Sequence, residues 1–145
     1  MRLNQVKIPV TDLQRSVSWY CELLDLGLWR EFVEQGILWG AGLTDEGRDL
    51  RIGLRLREMI SGTPAFPGFD LFSLAVDSLD ELQAVVARCD NLGLAHGDVT
   101  MLGADGTIVD VPDPDGTVIR FILLSPDRER SDGQPTFYDT PRLGI

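Results

Sequence analysis

Alternating apolar and polar residues open each half of the chain. The apolar positions are Val6, Ile8 and Val10 in the first half and Phe72, Leu74 and Val76 in the second. A period of two is typical of a strand with one buried face. Apolar residues then recur at helical spacing over residues 13–24 and 79–89, which predicts an amphipathic helix after each strand.

Capping residues bound both predicted helices. Thr11 and Ser78 each begin a capping box, with Gln or Glu three residues later. In this motif the hydroxyl accepts a hydrogen bond from an amide of the first turn, and the longer side chain returns the bond. Gly27 and Gly93 follow the last periodic positions and predict where the helices end.

Short strand-like runs separated by turn residues follow each helix. They cover residues 28–33, 37–41 and 50–57 in the first half and 98–102, 107–111 and 118–124 in the second. Each half therefore has the predicted order βαβββ. Residues 59–68 lie between the halves and contain two glycines and two prolines, which is typical of a connector.

An internal repeat relates the two halves. Val10-Thr11-Asp12-Leu13 aligns with Val76-Asp77-Ser78-Leu79, and Leu26-Gly27-Leu28 aligns with Leu92-Gly93-Leu94, both 66 positions apart. Self-similarity at one offset indicates a duplicated structural unit. We therefore predict an α+β domain over residues 1–124, with module 1 at 1–58, a linker at 59–68, module 2 at 69–124, and a polar C-terminal tail at 125–145.

The chain also resembles a known superfamily. The motifs that carry the resemblance are Val6-x-Ile8-x-Val10-x-Asp12-Leu13-x-x-Ser16 with Trp19-Tyr20, and Asp113-Pro114-Asp115-Gly116-x-x-x-x-Phe121. They are similar to the vicinal oxygen chelate superfamily, which includes glyoxalase I, extradiol dioxygenases, fosfomycin resistance enzymes and bleomycin-binding proteins. The resemblance implies two tandem βαβββ modules that form a curved mixed-sheet trough with helices outside and the ligand inside. It also implies a homodimer whose trough the second chain completes.

The resemblance locates four positions that supply metal ligands in metal-dependent members. Here they hold Gln5, Leu54, Leu71 and Arg120. A catalytic metal needs three or four lone-pair donors that converge on one point. Of these side chains only that of Gln5 has a lone pair, and Arg120 carries a positive charge. We therefore predict no bound metal and no cofactor, and metal-dependent glyoxalase or dioxygenase activity is not expected.

Strand alternation adds neighbours on the same faces. Lys7 shares a face with Gln5, and Ser73 shares a face with Leu71. In the fourth strand the same alternation places Leu54 on the face that points into the trough, and it places the arginines of this strand on the opposite face. A bulge in that strand would instead bring Arg55 into the trough.

Arg120 needs a compensating partner if it points into the trough. A buried guanidinium requires a carboxylate, a cluster of carbonyls or an anionic ligand group. Asp70, Asp98 and Asp110 are the internal candidates. The sequence leaves the internal partner and the anionic ligand equally open.

The resemblance implies that the second and third predicted strands, which contain aromatic residues, border the trough. Phe32 and Trp39 are candidates to stack on a planar ligand, with Trp29 nearby, because large apolar rings line many ligand sites. Ordinary packing is the alternative. The candidate ligand-binding residues are thus Gln5, Lys7, Phe32, Trp39, Leu54, Arg55, Leu71, Ser73 and Arg120, and no catalytic residue is identified.

Composition excludes several classes of function. The formal net charge of -10 argues against nucleic acid as a partner, because phosphate binding needs a basic surface. The sequence contains no run of about 20 apolar residues and leads directly into a strand pattern without an apolar signal region, so we expect a cytoplasmic protein. Cys21 and Cys89 are expected to be buried thiols, and the single histidine, His96, a loop residue rather than a ligand.

Three functional hypotheses remain. The first is a protein that sequesters or carries a small molecule, aromatic compounds included, without metal. The second is a metal-independent enzyme, of lyase or isomerase type, that uses Gln5, Lys7 and Arg120 to polarise a carbonyl or hold an anion. The third is an interaction domain with a filled trough and no ligand. In the tail, Phe137, Tyr138 and Leu143 are candidate anchors for a partner subunit.

Overall fold

The computed structural model describes residues 1–126, and these form two βαβββ modules. The strands are β1 (Val6–Val10), β2 (Gly27–Glu34), β3 (Ile37–Thr44), β4 (Arg51–Leu56), β5 (Asp70–Ala75), β6 (Thr100–Met101), β7 (Thr107–Pro112) and β8 (Val118–Leu123), and the helices are α1 (Leu13–Leu24) and α2 (Leu79–Leu92). The predicted α+β class with tandem modules is confirmed. The anchors suggested at Phe137, Tyr138 and Leu143 lie outside the described residues.

Each module contains a four-stranded mixed sheet. The strand orders are β1-β4-β3-β2 and β5-β8-β7-β6. In each sheet the first strand pairs in parallel with the last, and the other pairs are antiparallel. One face of each sheet packs on its helix through aliphatic residues such as Ile8, Leu43, Val109 and Ile119, all fully buried.

The N-terminus of α1 differs from the predicted capping box. Asp12 is the N-cap, and its carboxylate accepts a hydrogen bond from an amide of the first turn at 3.0 Å. Thr11 cannot take that role because its amide and hydroxyl both donate to the carboxylate of Asp115 in module 2. The helix also ends earlier than predicted, with Asp25 in a left-handed conformation (φ 54) as the C-cap, and Gly27 begins β2.

The predicted caps of α2 are confirmed. Ser78 Oγ accepts a hydrogen bond from the Glu81 amide at 3.1 Å, and the Glu81 carboxylate accepts one from the Asp77 amide at 2.8 Å. Gly93 ends the helix with φ 67, a conformation that glycine adopts without the cost a side chain would bring.

The modules meet through their helices and through the β7–β8 turn. Buried Tyr20 of α1 donates a hydrogen bond to Asp113 of that turn at 2.8 Å, and Arg88 of α2 donates one to the carbonyl of Leu23 in α1 at 3.1 Å. Burial raises the pKa of the Tyr20 hydroxyl and of the Asp113 carboxyl. No strand pairing joins the two sheets within residues 1–126. The face of each sheet that points away from its helix is here called the open face.

No helix among residues 1–126 is long and apolar enough to cross a membrane.

Candidate ligand-binding site

The open face of module 1 combines glycines with cationic and aromatic residues. Ladder partners project from the same face of a sheet, so the register defines two rows across this face. They are Phe32, Gly40 and Arg55 in one row and Arg30, Gly42, Gly53 and Lys7 in the other.

The glycines make room for large side chains that lie flat on the sheet. A Cβ atom on Gly40 would lie 2.9 Å from Cδ of Arg55, and one on Gly42 would lie 2.8 Å from Nε1 of Trp29. Both distances are shorter than ordinary van der Waals contacts. Glycine in a strand interior often marks such a close approach, and here it places Arg55 and Trp29 directly against the backbone.

Two β-bulges add aromatic rings to the same face. The pairing of β2 with β3 is irregular next to Trp29 and again opposite Trp39, and a bulge redirects the side chain of the extra residue. The Trp39 and Phe32 ring centroids are 6.0 Å apart. Trp29, Phe32, Trp39 and Arg55 together are here called the platform.

Arg55 is the most unusual residue of the platform. It is only 7% exposed, and its Cζ lies 4.2 Å from the Phe32 ring centroid and 5.1 Å from that of Trp39. One hydrogen bond is made, from Nη1 to the carbonyl of Leu54 at 2.8 Å. No carboxylate within residues 1–126 pairs with this guanidinium, and desolvation lowers its pKa.

Gln5 and Lys7 lie at the β1 border of the platform. The Oε1 atom of Gln5 is 3.2 Å, and Cγ of Lys7 is 3.4 Å, from the point that a Cβ on Gly53 would occupy. The structure therefore brings together five of the predicted site residues: Gln5, Lys7, Phe32, Trp39 and Arg55.

The prediction that Leu54 lines the trough is wrong. Leu54 is fully buried on the helix side of β4, where it pairs with Ile8 and Ala41. The pairing of β4 is regular with both neighbours, so Arg55 reaches the open face without the bulge that we expected to be necessary. The arginine-bearing face of β4 is the open one because the helix covers the aliphatic face.

Arg120 lies on the open face of module 2, and its partners are internal. Its Nε and Nη2 atoms donate to the Asp110 carboxylate at 2.8 and 2.9 Å, and Nη1 lies 2.9 Å from Oδ2 of Asp70. The hydrogen bonds to Asp110 raise the Arg120 pKa. Ser73 is the ladder neighbour of Arg120, whereas Leu71 lies at a bulge of β5 and packs half-buried against the core.

The residues at the metal positions do not fit a divalent cation. Gln5 faces Gly53 in β4, which has no side chain to offer, and Arg120 brings a positive charge that is already ion-paired. Among residues 1–126, no group of three or more His, Cys, Asp or Glu side chains is arranged to hold a metal ion. His96 is a loop residue, as predicted, and its ring nitrogens contact the Gly97 carbonyl and the Asp90 carboxylate.

A separate cavity of about 720 Å³ lies between the two helices. Its lining is aliphatic and charged, with Glu22, Glu81 and Arg88 as the charged residues, and contains no aromatic ring. Arg88 is held there by the carbonyl of Leu23. The platform on the open face of module 1 therefore remains the stronger candidate for a ligand site.

Sequence reasoning missed the glycines and the roles of Trp29 and Arg30. Part of the signal was available, because Gly40 lies in the predicted strand 37–41 and Gly42 follows just after it, and glycines at a spacing of two leave one face of a strand bare. The bulges that turn Trp29 and Trp39 to this face have no comparable signal in the sequence.

Comparison with known proteins agrees with the fold. The family model described as "Glyoxalase/Bleomycin resistance protein/Dioxygenase superfamily" matches residues 2–121. No curated protein matches the chain.

Among solved structures, a glyoxylase/bleomycin resistance protein/dioxygenase domain from Frankia sp. EAN1pec has a TM-score of 0.70 and 24% identity, covering 87% of this chain and 93% of that one. TnmS3, an antibiotic binding protein from Streptomyces sp. CB03234, has a TM-score of 0.63 and 22% identity, with 86% and 97% covered. The fosfomycin resistance protein FosX from Listeria monocytogenes, in complex with Mn(II) and sulfate, has a TM-score of 0.65 and 13% identity, with 90% and 97% covered.

The likeness to these structures concerns the fold, whereas the family model covers most of the sequence itself. The chain therefore belongs to the glyoxalase/bleomycin resistance protein/dioxygenase superfamily.

Proposed function

We propose that the chain is a small-molecule-binding protein that sequesters or carries an aromatic ligand without a metal, and that the ligand lies on the platform of module 1. The observation that carries this proposal is Arg55, which is 93% removed from solvent yet has no carboxylate partner among residues 1–126. A buried charge without a counter-charge destabilises a fold. Such a residue is expected where a ligand supplies the missing interaction.

The shape and chemistry of the platform favour a planar ligand. The rings of Phe32 and Trp39 are half-buried, and Trp29 is 52% exposed. Exposed aromatic surface beside a few polar groups is typical of ligand sites. Gln5 and Lys7 supply polar groups at the border of this surface.

Binding is better supported than catalysis. The only histidine of the chain, His96, is in module 2 and is hydrogen-bonded to its own loop and to α2. The platform thus has groups that can hold or polarise a ligand but no imidazole to move a proton. TnmS3, which shares this fold, is described as an antibiotic binding protein, and carriage requires no catalytic base.

A second copy of the chain is the proposed cover for the platform. Lys7 and Arg51 lie beside the platform on the open face of module 1, whereas the open face of module 2 carries Asp70 and Asp110 around Arg120, a set with one net negative charge. Opposite charge on two surfaces of one chain favours pairing between copies. We therefore propose a homodimer in which module 2 of one copy faces module 1 of the other.

The test of binding uses a panel of planar aromatic compounds and thermal unfolding of the full chain. A compound that raises Tm should lose roughly five- to thirtyfold in affinity in Trp39→Ala, because one aromatic contact contributes about 1–2 kcal/mol. Phe69→Ala is the matched control, since Phe69 is 53% exposed and lies outside the platform. Equal losses in both variants would refute the proposed site.

The absence of a metal requirement and the dimer are tested separately. Added Ni, Zn, Mn or Fe should leave Tm unchanged, and elemental analysis should find no stoichiometric ion. A stoichiometric ion with three protein ligands would refute the metal-free proposal. Sedimentation should give twice the chain mass of 16.1 kDa, and a monomer at working concentration would refute the dimer.

A further inference from the structure

Two guanidinium groups contact the ring of Phe32. Cζ of Arg55 lies 4.2 Å and Cζ of Arg30 lies 4.9 Å from the ring centroid. An arginine over an aromatic ring uses its planar face and leaves its N–H donors free at the edge. The contacts with Phe32 therefore fix the two groups without satisfying their hydrogen-bonding capacity.

Most donors of these two groups have no protein acceptor in the described part of the chain. A guanidinium carries five N–H donors, and the single hydrogen bond of Arg55 goes to the carbonyl of Leu54. Arg30 has only the ring of Phe32 as a partner within residues 1–126. By contrast, Arg120 in the second module uses all three of its nitrogens on Asp110 and Asp70.

Both guanidinium groups are held at one ring, and Lys7 adds a third cation to the same face. Arg30 is exposed to solvent, whereas Arg55 is buried and desolvation lowers its pKa. An anion that accepts hydrogen bonds from both groups would replace the hydration that Arg55 has lost. A carboxylate is suited to this place because its two oxygens match the arginine fork.

We propose that the ligand is an aromatic carboxylate, or an aromatic compound with an equivalent planar anion, whose charged group lies between Arg55 and Arg30 while its ring packs on Trp29 and Trp39. This inference rests on the proposed function and names the chemical class of its ligand. The anion determines specificity, and the aromatic ring supplies contact area.

The experiment compares 2-naphthoate with neutral 2-naphthamide, which has the same ring system. Binding to the full chain is followed by ¹H–¹⁵N NMR, with the indole N–H signals of Trp29 and Trp39 as local reporters and that of Trp19 in α1 as the reference. A ligand of this size is expected to bind with a Kd of the order of 1 mM. We expect 2-naphthoate to bind at least about tenfold more tightly than 2-naphthamide, because hydrogen bonds to charged groups are strong.

Arg55→Gln and Arg30→Gln should each abolish most of this preference, so that the Kd of 2-naphthoate rises to about that of 2-naphthamide measured on the same variant. Arg15→Gln is the control, because it removes the same charge from an exposed position on α1. Equal binding of the two compounds, with no effect of Arg55→Gln, would overturn the anion proposal and leave the binding function intact. Failure of both compounds to bind at about 10 mM, ten times the expected Kd, would count against the binding function itself.

Discussion

Replacement of Arg55 by methionine should not destabilise the protein, whereas the same replacement at Arg120 should. Arg55 lies in β4 and Arg120 in β8, and each of these strands is the second in the spatial order of its sheet. Both substitutions remove one positive charge. The difference lies in the partners. Arg120 is paired with two carboxylates, whereas Arg55 contacts rings and one carbonyl.

The expected magnitudes follow from these contacts. Arg55→Met loses one hydrogen bond of about 1.5–3 kcal/mol and two cation–π contacts, with Phe32 and Trp39, that together contribute about 1–2 kcal/mol. The substitution also removes the desolvation penalty of a buried charge, which stabilises the variant by several kcal/mol. The methionine sulfur keeps contacts with the rings. We therefore expect the free energy of unfolding to be unchanged or to rise by up to about 2 kcal/mol.

Arg120→Met should lower the free energy of unfolding by about 1 kcal/mol. The carboxylates it leaves behind, on Asp110 and Asp70, are 34% and 42% exposed, so solvent screening limits the loss to the range of surface ion pairs. The two-pronged contact with Asp110 places the estimate at the upper end of that range, near 1 kcal/mol.

Urea unfolding followed by circular dichroism, at one fixed protein concentration, measures both changes. The concentration must be fixed because assembly shifts apparent stability. A loss of more than about 1 kcal/mol in Arg55→Met would refute the reasoning, since it would mean that Arg55 has a protein counter-charge. Unaltered ligand binding in that variant would refute its role in the site.

Three further predictions concern positions outside this pair. Gly42→Ala should displace the Trp29 indole, because the added Cβ would lie 2.8 Å from its Nε1 atom. One of the three ¹⁹F signals of fluorotryptophan-labelled protein should therefore shift. Three unchanged signals would contradict the close packing of Trp29 on Gly42. An NMR titration should show that the pKa of His96 lies above its ordinary value of 6.5, because the Gly97 carbonyl favours the protonated ring. The contribution of His96 to stability is then present below pH 6.5 and is lost as the pH rises through the folded-state pKa. A titration midpoint below pH 6.5 would contradict this. Tyr20→Phe should lower the free energy of unfolding by about 1–3 kcal/mol, measured by urea denaturation, because the Asp113 carboxylate loses its buried donor. An unchanged urea midpoint would show that the hydrogen bond contributes nothing to stability.

The order of elements could be predicted because it depends on local patterns. Each module begins with an alternating strand and a helix of regular period, and the repeat indicates that the second module copies the first. The cap of α2 was also predictable, since Ser78 and Glu81 satisfy their partners within one turn. The cap of α1 was not, because Thr11 is engaged by Asp115, which is 104 positions away.

The register of β4 could not be obtained from the repeat. Lys7 and Ser73 are equivalent and 66 positions apart, but their ladder partners Gly53 and Arg120 are 67 positions apart. A shift of one residue moves a side chain to the other face of a strand. Mapping Arg120 back by 66 positions therefore led to buried Leu54 instead of Gly53.

The site itself depends on features that alternation does not reveal. Trp29 and Trp39 reach the open face through bulges, and Arg55 lies flat because Gly40 has no side chain. Phe32 and Trp39 lie on the open face of module 1, and their contact with a ligand stays a prediction. Their contact with Arg55 depends on the register of three strands and could be seen only in the folded chain.

The decisive measurement is a crystal structure of the 145-residue chain with 2-naphthoate. We expect the carboxylate of the ligand to lie within hydrogen-bonding distance of the Arg55 guanidinium, and the naphthalene ring of the ligand to pack against the platform. In the ligand-free crystal we expect no protein carboxylate within about 4 Å of that guanidinium, the limit for an ion pair. A carboxylate from a second copy, or from the residues after 126, paired with Arg55 in both crystals would contradict the account.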